Sequence, residues 1–191
     1  MLQQLTKKSS SQFIGLGSTR KVDRHGQFVI KTFLHELGKK QSDYETKAYA
    51  ALYEQGLHEN VAPILYVDDE VCVQPYFRPV PKTFGTYSID FESDPRVTDN
   101  LRQAIVFLKE TYQCVDIFDS SNYALNNKGK LVLIDYGMSY EMYVNEWAPL
   151  AKQGILPQMK VGTCESCGIE KELRLYGAGD EDRRCVTCGK L

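Results

Sequence analysis

The sequence predicts an α+β fold in two parts, a β-rich front and a mixed back, with a small metal-held tail. Three observations carry this. Residues 13–31 read as strand, hairpin turn and strand. Residues 122–137, Asn-Tyr-Ala-Leu-Asn-Asn-Lys-Gly-Lys-Leu-Val-Leu-Ile-Asp-Tyr-Gly, read as a second hairpin with an amide at its entrance and a carboxylate at its exit. The tail carries two matched knuckles, Cys164-x-x-Cys167-Gly168 and Cys185-x-x-Cys188-Gly189. A chain of 191 residues has room for one medium domain and such an appendage. A formal net charge of −2 gives no broad basic character, so nucleic acid is not an expected partner. Residues 1–12 are polar and lack the apolar core of a signal peptide. No apolar stretch is long enough to span a bilayer, so no membrane partner and a cytoplasmic location are expected. Thiols stay reduced there, so the six cysteines read as ligands or buried thiols. Cys72 and Cys114, each alone in apolar surroundings, are expected to be packing residues.

In chain order, Phe13 and Ile14 open the first strand and run into Gly15-Leu16-Gly17. A glycine pair lets backbone N–H groups approach a phosphate closely, and it also serves plain turns. The turn Asp23-Arg24-His25-Gly26 leads to a strand ending in Lys31, which is either a strand-edge charge or a phosphate partner. Ser42 and Glu45 have capping-box spacing, so a helix is expected to begin there. Its apolar stripe is Ala48, Ala51 and Leu52, and it ends before Gly56. Glu45 is then a capping carboxylate or an ion-pair partner that orients Lys31. Short strands are expected at 64–67 and 71–74, and the proline-rich run 75–81 reads as a linker leaving the front lobe. Residues 84–97 read as a polar loop. Thr98-Asp99-Asn100 caps a helix with Leu101, Ile105, Leu108 and Tyr112 on one face. Beyond the second hairpin, Tyr140, Tyr143, Val144 and Trp147 fall at helical spacing and are expected to close the core.

The second hairpin brings Asn122 and Asp135 to one end, where two oxygen ligands can share a Mg²⁺ ion. The ordered set Gly15-x-Gly17, Lys31, Glu45, Asn122 and Asp135-Tyr136-Gly137 resembles the protein kinase-like fold, over roughly residues 13–147. Residues 15–22 fit G-x-G-x-x-G-x-V with Arg20 in place of the third glycine. Val29-Ile30-Lys31 resembles the V-A-I-K strand, and His58-Glu59-Asn60 resembles the segment after the regulatory helix. The compact layout looks most like the small phage-encoded Ser/Thr protein kinases. The resemblance implies ATP as nucleotide, with Gly15, Gly17 and Lys31 at its phosphates and Glu45 positioning Lys31. It implies Mg²⁺ on Asn122 and Asp135, and adenine against residues 74–77.

Three departures stand out. The family's catalytic Asp falls five residues before the Asn, where this chain has Ile117; Asp116 and Asp119 flank that place. A one-residue insertion would make Asp116 the base. No Ala-Pro-Glu segment follows Gly137, and Cys164 arrives too soon for a full large lobe. The expected units are therefore a polar tail (1–12), a small lobe (13–80), a truncated large lobe (81–153), a linker (154–162) and a zinc ribbon (163–191).

In the tail, Cys164, Cys167, Cys185 and Cys188 present four thiolates with zinc-ribbon spacing. So small a unit has almost no core, so the metal would supply its folding energy. The loop 177–184 mixes charge signs, which points to a protein partner rather than nucleic acid. The functional expectation is an ATP- and Mg²⁺-dependent phosphotransferase. The resemblance makes it a phage-type Ser/Thr protein kinase acting on host proteins, with the ribbon recruiting the target. The alternative is a pseudokinase adaptor that docks on a partner. A third reading is a zinc protein that binds nucleic acid.

Overall fold

The computed structural model describes residues 11–81 and 89–190. The expected polar tail therefore lies outside it up to residue 10, as does the opening of the loop expected at 84–97. Strands β1 (Gln12–Leu16), β2 (Arg20–His25) and β3 (Phe28–Phe33) form an antiparallel meander. Strand β5 (Val71–Pro75) pairs with β3, and β4 (Tyr66–Val67) lies at the edge, in the order β1-β2-β3-β5-β4. The central strand β3 buries Val29, Ile30 and Lys31 together. A lysine buried in mid-sheet needs partners, and the next elements supply them.

Helix α1 spans Glu36–Glu54, roughly two turns earlier than the capping box at Ser42 and Glu45 predicts. The actual N-cap is His35, in extended conformation, whose Nδ1 accepts from the Leu37 N–H (3.2 Å). Ser42 and Glu45 are instead mid-helix and buried. The early turns were hidden by Gly38, a poor helix former. Contact requires glycine there, because a Cβ would lie 2.7 Å from the Thr19 carbonyl oxygen.

Ala48 and Leu52 of α1 pack into the main core with Val61 and with Leu101, Ala104 and Leu108 of helix α2 (Asp99–Thr111). Thr98 caps α2 as predicted: its Oγ1 accepts from the Leu101 N–H (3.1 Å) and donates to Asn60 Oδ1 (2.7 Å). Strands β7 (Tyr123–Leu125) and β8 (Leu131–Leu133) form the expected hairpin, its turn tied by Asn126 Oδ1 to the N–H groups of Lys128 and Lys130. Strand β6 (Arg78–Pro79), inside the predicted linker, pairs with β7 and so stitches the two lobes. Tyr136 is fully buried in this core, its hydroxyl donating to the Ala62 carbonyl (2.7 Å).

After the hairpin, α3 (Tyr140–Met142) passes through a π-helical turn (Tyr143–Trp147) into α4 (Ala148–Lys152). A helix is found where predicted, but of the expected stripe only Trp147 packs on a core, half-buried. Met142 joins Leu37, Met138 and Leu156, while Tyr140, Tyr143 and Val144 are exposed. Helical spacing reveals a stripe but not which surface it covers, and the π turn adds a residue that shifts the phase. Strands β9 (Gln158–Thr163) and β10 (Glu170–Leu175) pair in a two-stranded unit, so much of segment 154–162 is strand rather than free linker.

The fold is α+β, as expected. A five-stranded sheet with one helix stands before a second lobe built on α2 and the β7–β8 hairpin, and a four-cysteine unit follows. No helix among the described residues is long and apolar enough to cross a membrane.

Candidate active site

The cleft between the lobes has a volume of about 1180 Å³. Its roof is the end of β1 with Gly15 and the β1–β2 turn with Gly17, and its floor carries Asp116, Asn122 and Asp135. A Cβ on Gly15 would meet nothing within 4 Å, and on Gly17 only the Arg20 carbonyl at 3.5 Å. Neither has a positive φ, so the protein's own backbone does not demand glycine at these two positions. The space a side chain would fill is left open to a ligand. At the rear, Gln74 of β5 is 2% exposed and its Nε2 lacks a partner. Such an orphaned donor in a cleft wall suits an acceptor edge on a bound ring. Pro75 has no N–H to offer, and the Tyr76 N–H is taken by the Gln27 carbonyl (2.8 Å).

Two cations and two carboxylates meet under this roof. Lys31 Nζ donates to the Ile134 carbonyl (2.8 Å) and stands 3.8 Å from Glu45 Oε1. Arg20 goes deeper than a strand-edge residue should. Its guanidinium donates to Asp135 Oδ1 (2.6 Å), Glu45 Oε2 (3.0 Å) and Ser42 Oγ (3.2 Å), at 5% side-chain exposure. Burial opposes its charge, but Asp135 and Glu45 hold Arg20 firmly protonated. Burial alone would likewise raise the Asp135 carboxyl, yet Arg20 and then Lys31 hold it well below the usual carboxylate range. Glu45 also accepts from the Tyr136 N–H (3.3 Å), which locks α1 to the exit of the hairpin. Gly137 lets that contact close: a Cβ there would lie 2.5 Å from the Gln41 carbonyl oxygen.

The loop 113–122 separates its two acids. Asp119 is exposed and caps the short 3₁₀ turn Ser120–Asn122, its Oδ1 accepting from the Ser121 N–H (2.9 Å) and Oγ (2.7 Å). Asp116 lines the cleft with a buried Oδ1 that has no hydrogen-bond partner. Burial first, then the nearby Asp135 charge, push its carboxyl up to about 7. Asn122 donates its amide to the Asp116 carbonyl (2.9 Å), leaving its amide oxygen as the ligand atom. The Asn122 carbonyl accepts from the Ile134 N–H (2.8 Å), so the hairpin sets the Asn122 backbone against the residue before Asp135. The loop is entered at Gln113, the only described non-glycine residue with positive φ (50°), beside the site.

The structure thus brings Gly15, Gly17, Lys31, Glu45, Asp116, Asn122 and Asp135 to one cleft. Sequence reasoning passed over Arg20, visible only as the residue replacing the third glycine. It also passed over the Gln74 side chain and over the cleft wall formed by Tyr140, Tyr143 and Trp147, whose last two rings stack at 5.4 Å and 15°.

Apart from this cleft, the sulfurs of Cys164, Cys167, Cys185 and Cys188 lie within 4.8 Å of one another, a donor set fit for one metal ion. The Cys167 N–H, then the Cys185 and Ser166 N–H groups, help hold the Cys164 thiol down at about 6, as suits a thiolate ligand. Cys72 and Cys114 are buried and apart from this cluster.

No protein-family model and no curated protein matches the sequence. Among solved structures the chain is similar to APH(2″)-IIa in a ternary complex with streptomycin and ATP, at 12% identity and a TM-score of 0.44, over 71% of this chain and 68% of that one. It is similar to APH(2″)-IIa with gentamicin at 14% and 0.45, over 71% and 67%. It is also similar to APH(2″)-IIia with GDP and kanamycin at 11% and 0.42, over 72% and 71%. These are likenesses of chain course alone.

Proposed function

We propose that the chain binds ATP with Mg²⁺ in this cleft and transfers the terminal phosphoryl group to an acceptor hydroxyl. The observation that carries the reading is the convergence of Lys31, Glu45 and Asp135 beneath an open glycine turn, with the unpartnered Asp116 oxygen in the same cleft. The amide oxygen of Asn122 and the carboxylate of Asp135 fit Mg²⁺, which takes few protein oxygens and neutralises phosphate charge when bound. Lys31, positioned by Glu45, binds the phosphates, and the Gln74 amide faces the base. Asp116 accepts the hydroxyl proton as the acceptor oxygen bonds to phosphorus and the bond to the leaving nucleoside diphosphate breaks. A carboxyl raised toward neutrality suits that task, and Asp119, committed to its cap, does not. The acceptor expected from the sequence is a Ser/Thr hydroxyl of a protein, for a phage-type kinase acting on host proteins, and the four-cysteine cluster is a zinc site.

A second reading has its own observation. Arg20 occupies Asp135 directly, so the cation site is neutralised by the chain itself, as befits a pseudokinase adaptor that binds nucleotide or partner without transfer. One experiment separates them: thermal shift with ATP and Mg²⁺, followed by labelled-phosphate transfer to a mixed protein substrate. Binding with transfer supports the first, binding without transfer supports the second, and no binding removes the first and leaves the second only as a protein that docks on a partner.

A further inference from the structure

The four-cysteine unit is not a free appendage, because it grips the glycine turn. The turn 17–19 closes on itself through the Gly17 N–H and the Arg20 carbonyl (2.9 Å), and its outward groups are bound by the tail. Ser18 Oγ donates to the Pro157 carbonyl (2.8 Å), just ahead of β9. The Gly17 carbonyl accepts from Arg174 Nη1 of β10. Arg174 is 4% exposed, and its Nη2 donates to the Tyr176 hydroxyl (3.0 Å), so its guanidinium is fixed from both ends. Met159, Val161 and Glu172 of the same two strands line the cleft beside Gly15 and Gly17.

The buried side of β10 packs on the cysteine cluster. Leu173 and Leu175 bury with Cys164 and Cys185 in a core of their own, and the Cys185 N–H donates to Cys164 Sγ (3.2 Å). So few buried side chains cannot hold two strands without a metal, since units this small draw their folding energy from the ion. Arg174 and Pro157 therefore hold the turn only while the thiolates are occupied.

We infer that the four-cysteine unit is a structural support of the glycine turn, with Arg174 as the positioning residue, so that metal occupancy at the thiolates governs order at the nucleotide site. The device makes that site responsive to thiol oxidants and to metal supply. The effect on nucleotide affinity rests on the proposed function; the effect on the turn does not.

The test is hydrogen exchange on the full chain, zinc-loaded and after chelation, with metal content measured in each sample. Chelation should speed exchange of the 17–20 amides by about tenfold or more, while amides of α2 and of β7–β8 keep their protection. Arg174→Met, still zinc-loaded, should loosen the same amides, and Arg174→Lys should restore part of the protection. In both the chelated chain and Arg174→Met, the Kd for ATP should rise about tenfold. Unchanged 17–20 exchange in zinc-loaded Arg174→Met overturns the inference. So does loss of protection throughout the core on chelation, which would make the metal a support of the whole fold. If the turn loosens as expected but no form binds ATP, the coupling stands and the proposed function fails.

Discussion

Arg20 decides what the site is at rest. Its charge spans Glu45 and Asp135, so removing it leaves two carboxylates with Lys31 as their nearby cation. Breaking a buried pair costs about 3 kcal/mol when one charge is left uncompensated. Arg20→Met should lose about that much stability in denaturant unfolding. It should also regain more on addition of Mg²⁺ than the parent chain does, because Asp135 is then open to the ion. An equal Mg²⁺ response in both proteins would show that Arg20 does not guard a cation site. Asp116 gives a pH signature. Its carboxyl moves from an ordinary 3.8 to about 7 on folding, so the native state favours the protonated form. That contribution is present below about pH 4 and is lost as pH rises through about 7. Asp116→Asn should therefore be stabilising relative to the parent, by an amount that grows between about pH 4 and 7, stays flat above, and reaches at most a few kcal/mol. The same variant should lose transfer by about 10²–10⁴-fold if Asp116 is the base, whereas Asp119→Asn should cost far less. A pH-independent stability difference would contradict the burial of that carboxyl.

Two elements control how the lobes meet. Gly137 lies against the backbone of α1, and neither backbone can give way without moving the Glu45–Tyr136 contact. Gly137→Ala should cost about 3 kcal/mol, the upper range for overpacking, and should lower the melting temperature with it. Thr98→Ala removes the cap of α2 and leaves the buried Asn60 Oδ1 without its donor, for a loss of about 1–2 kcal/mol. A melting curve unchanged by Thr98→Ala would mean that the α2 N-terminus frays without consequence. These elements differ in how far the sequence discloses them. The β2–β3 and β7–β8 hairpins and the α2 cap are local, so turn residues and spacing suffice to find them. The start of α1 is not local: it depends on Gly38 fitting over Thr19, and a capping-box match at Ser42 misdirects the reading. The stripe after residue 139 is legible as helix, but not that Tyr140, Tyr143 and Val144 are exposed while Trp147 packs, since only tertiary packing decides which face is covered. Arg20 shows the same limit within the site, for a residue 115 positions from its partner leaves no periodic trace.

At the scale of the molecule, the parts of the chain are joined by the core that α1 and α2 share, by β6 on β7, by α1 on the hairpin exit and by the tail on the glycine turn. Elemental analysis should find one zinc per chain, and Cys185→Ser should abolish it, because three remaining thiolates leave the tetrahedral set incomplete. A chain that retains full zinc after that change would place the metal elsewhere. Net charge near zero, at −2, predicts a low solubility margin near the sequence pI of about 6.0. The stacked pair Tyr143–Trp147 has a practical consequence. Trp147 is the chain's sole tryptophan and stands in the cleft wall, so the protein carries one intrinsic fluorophore beside the place where ligand binds. Its emission should shift or quench on ligand entry, giving a titration that needs no label and reports occupancy of the cleft rather than global unfolding.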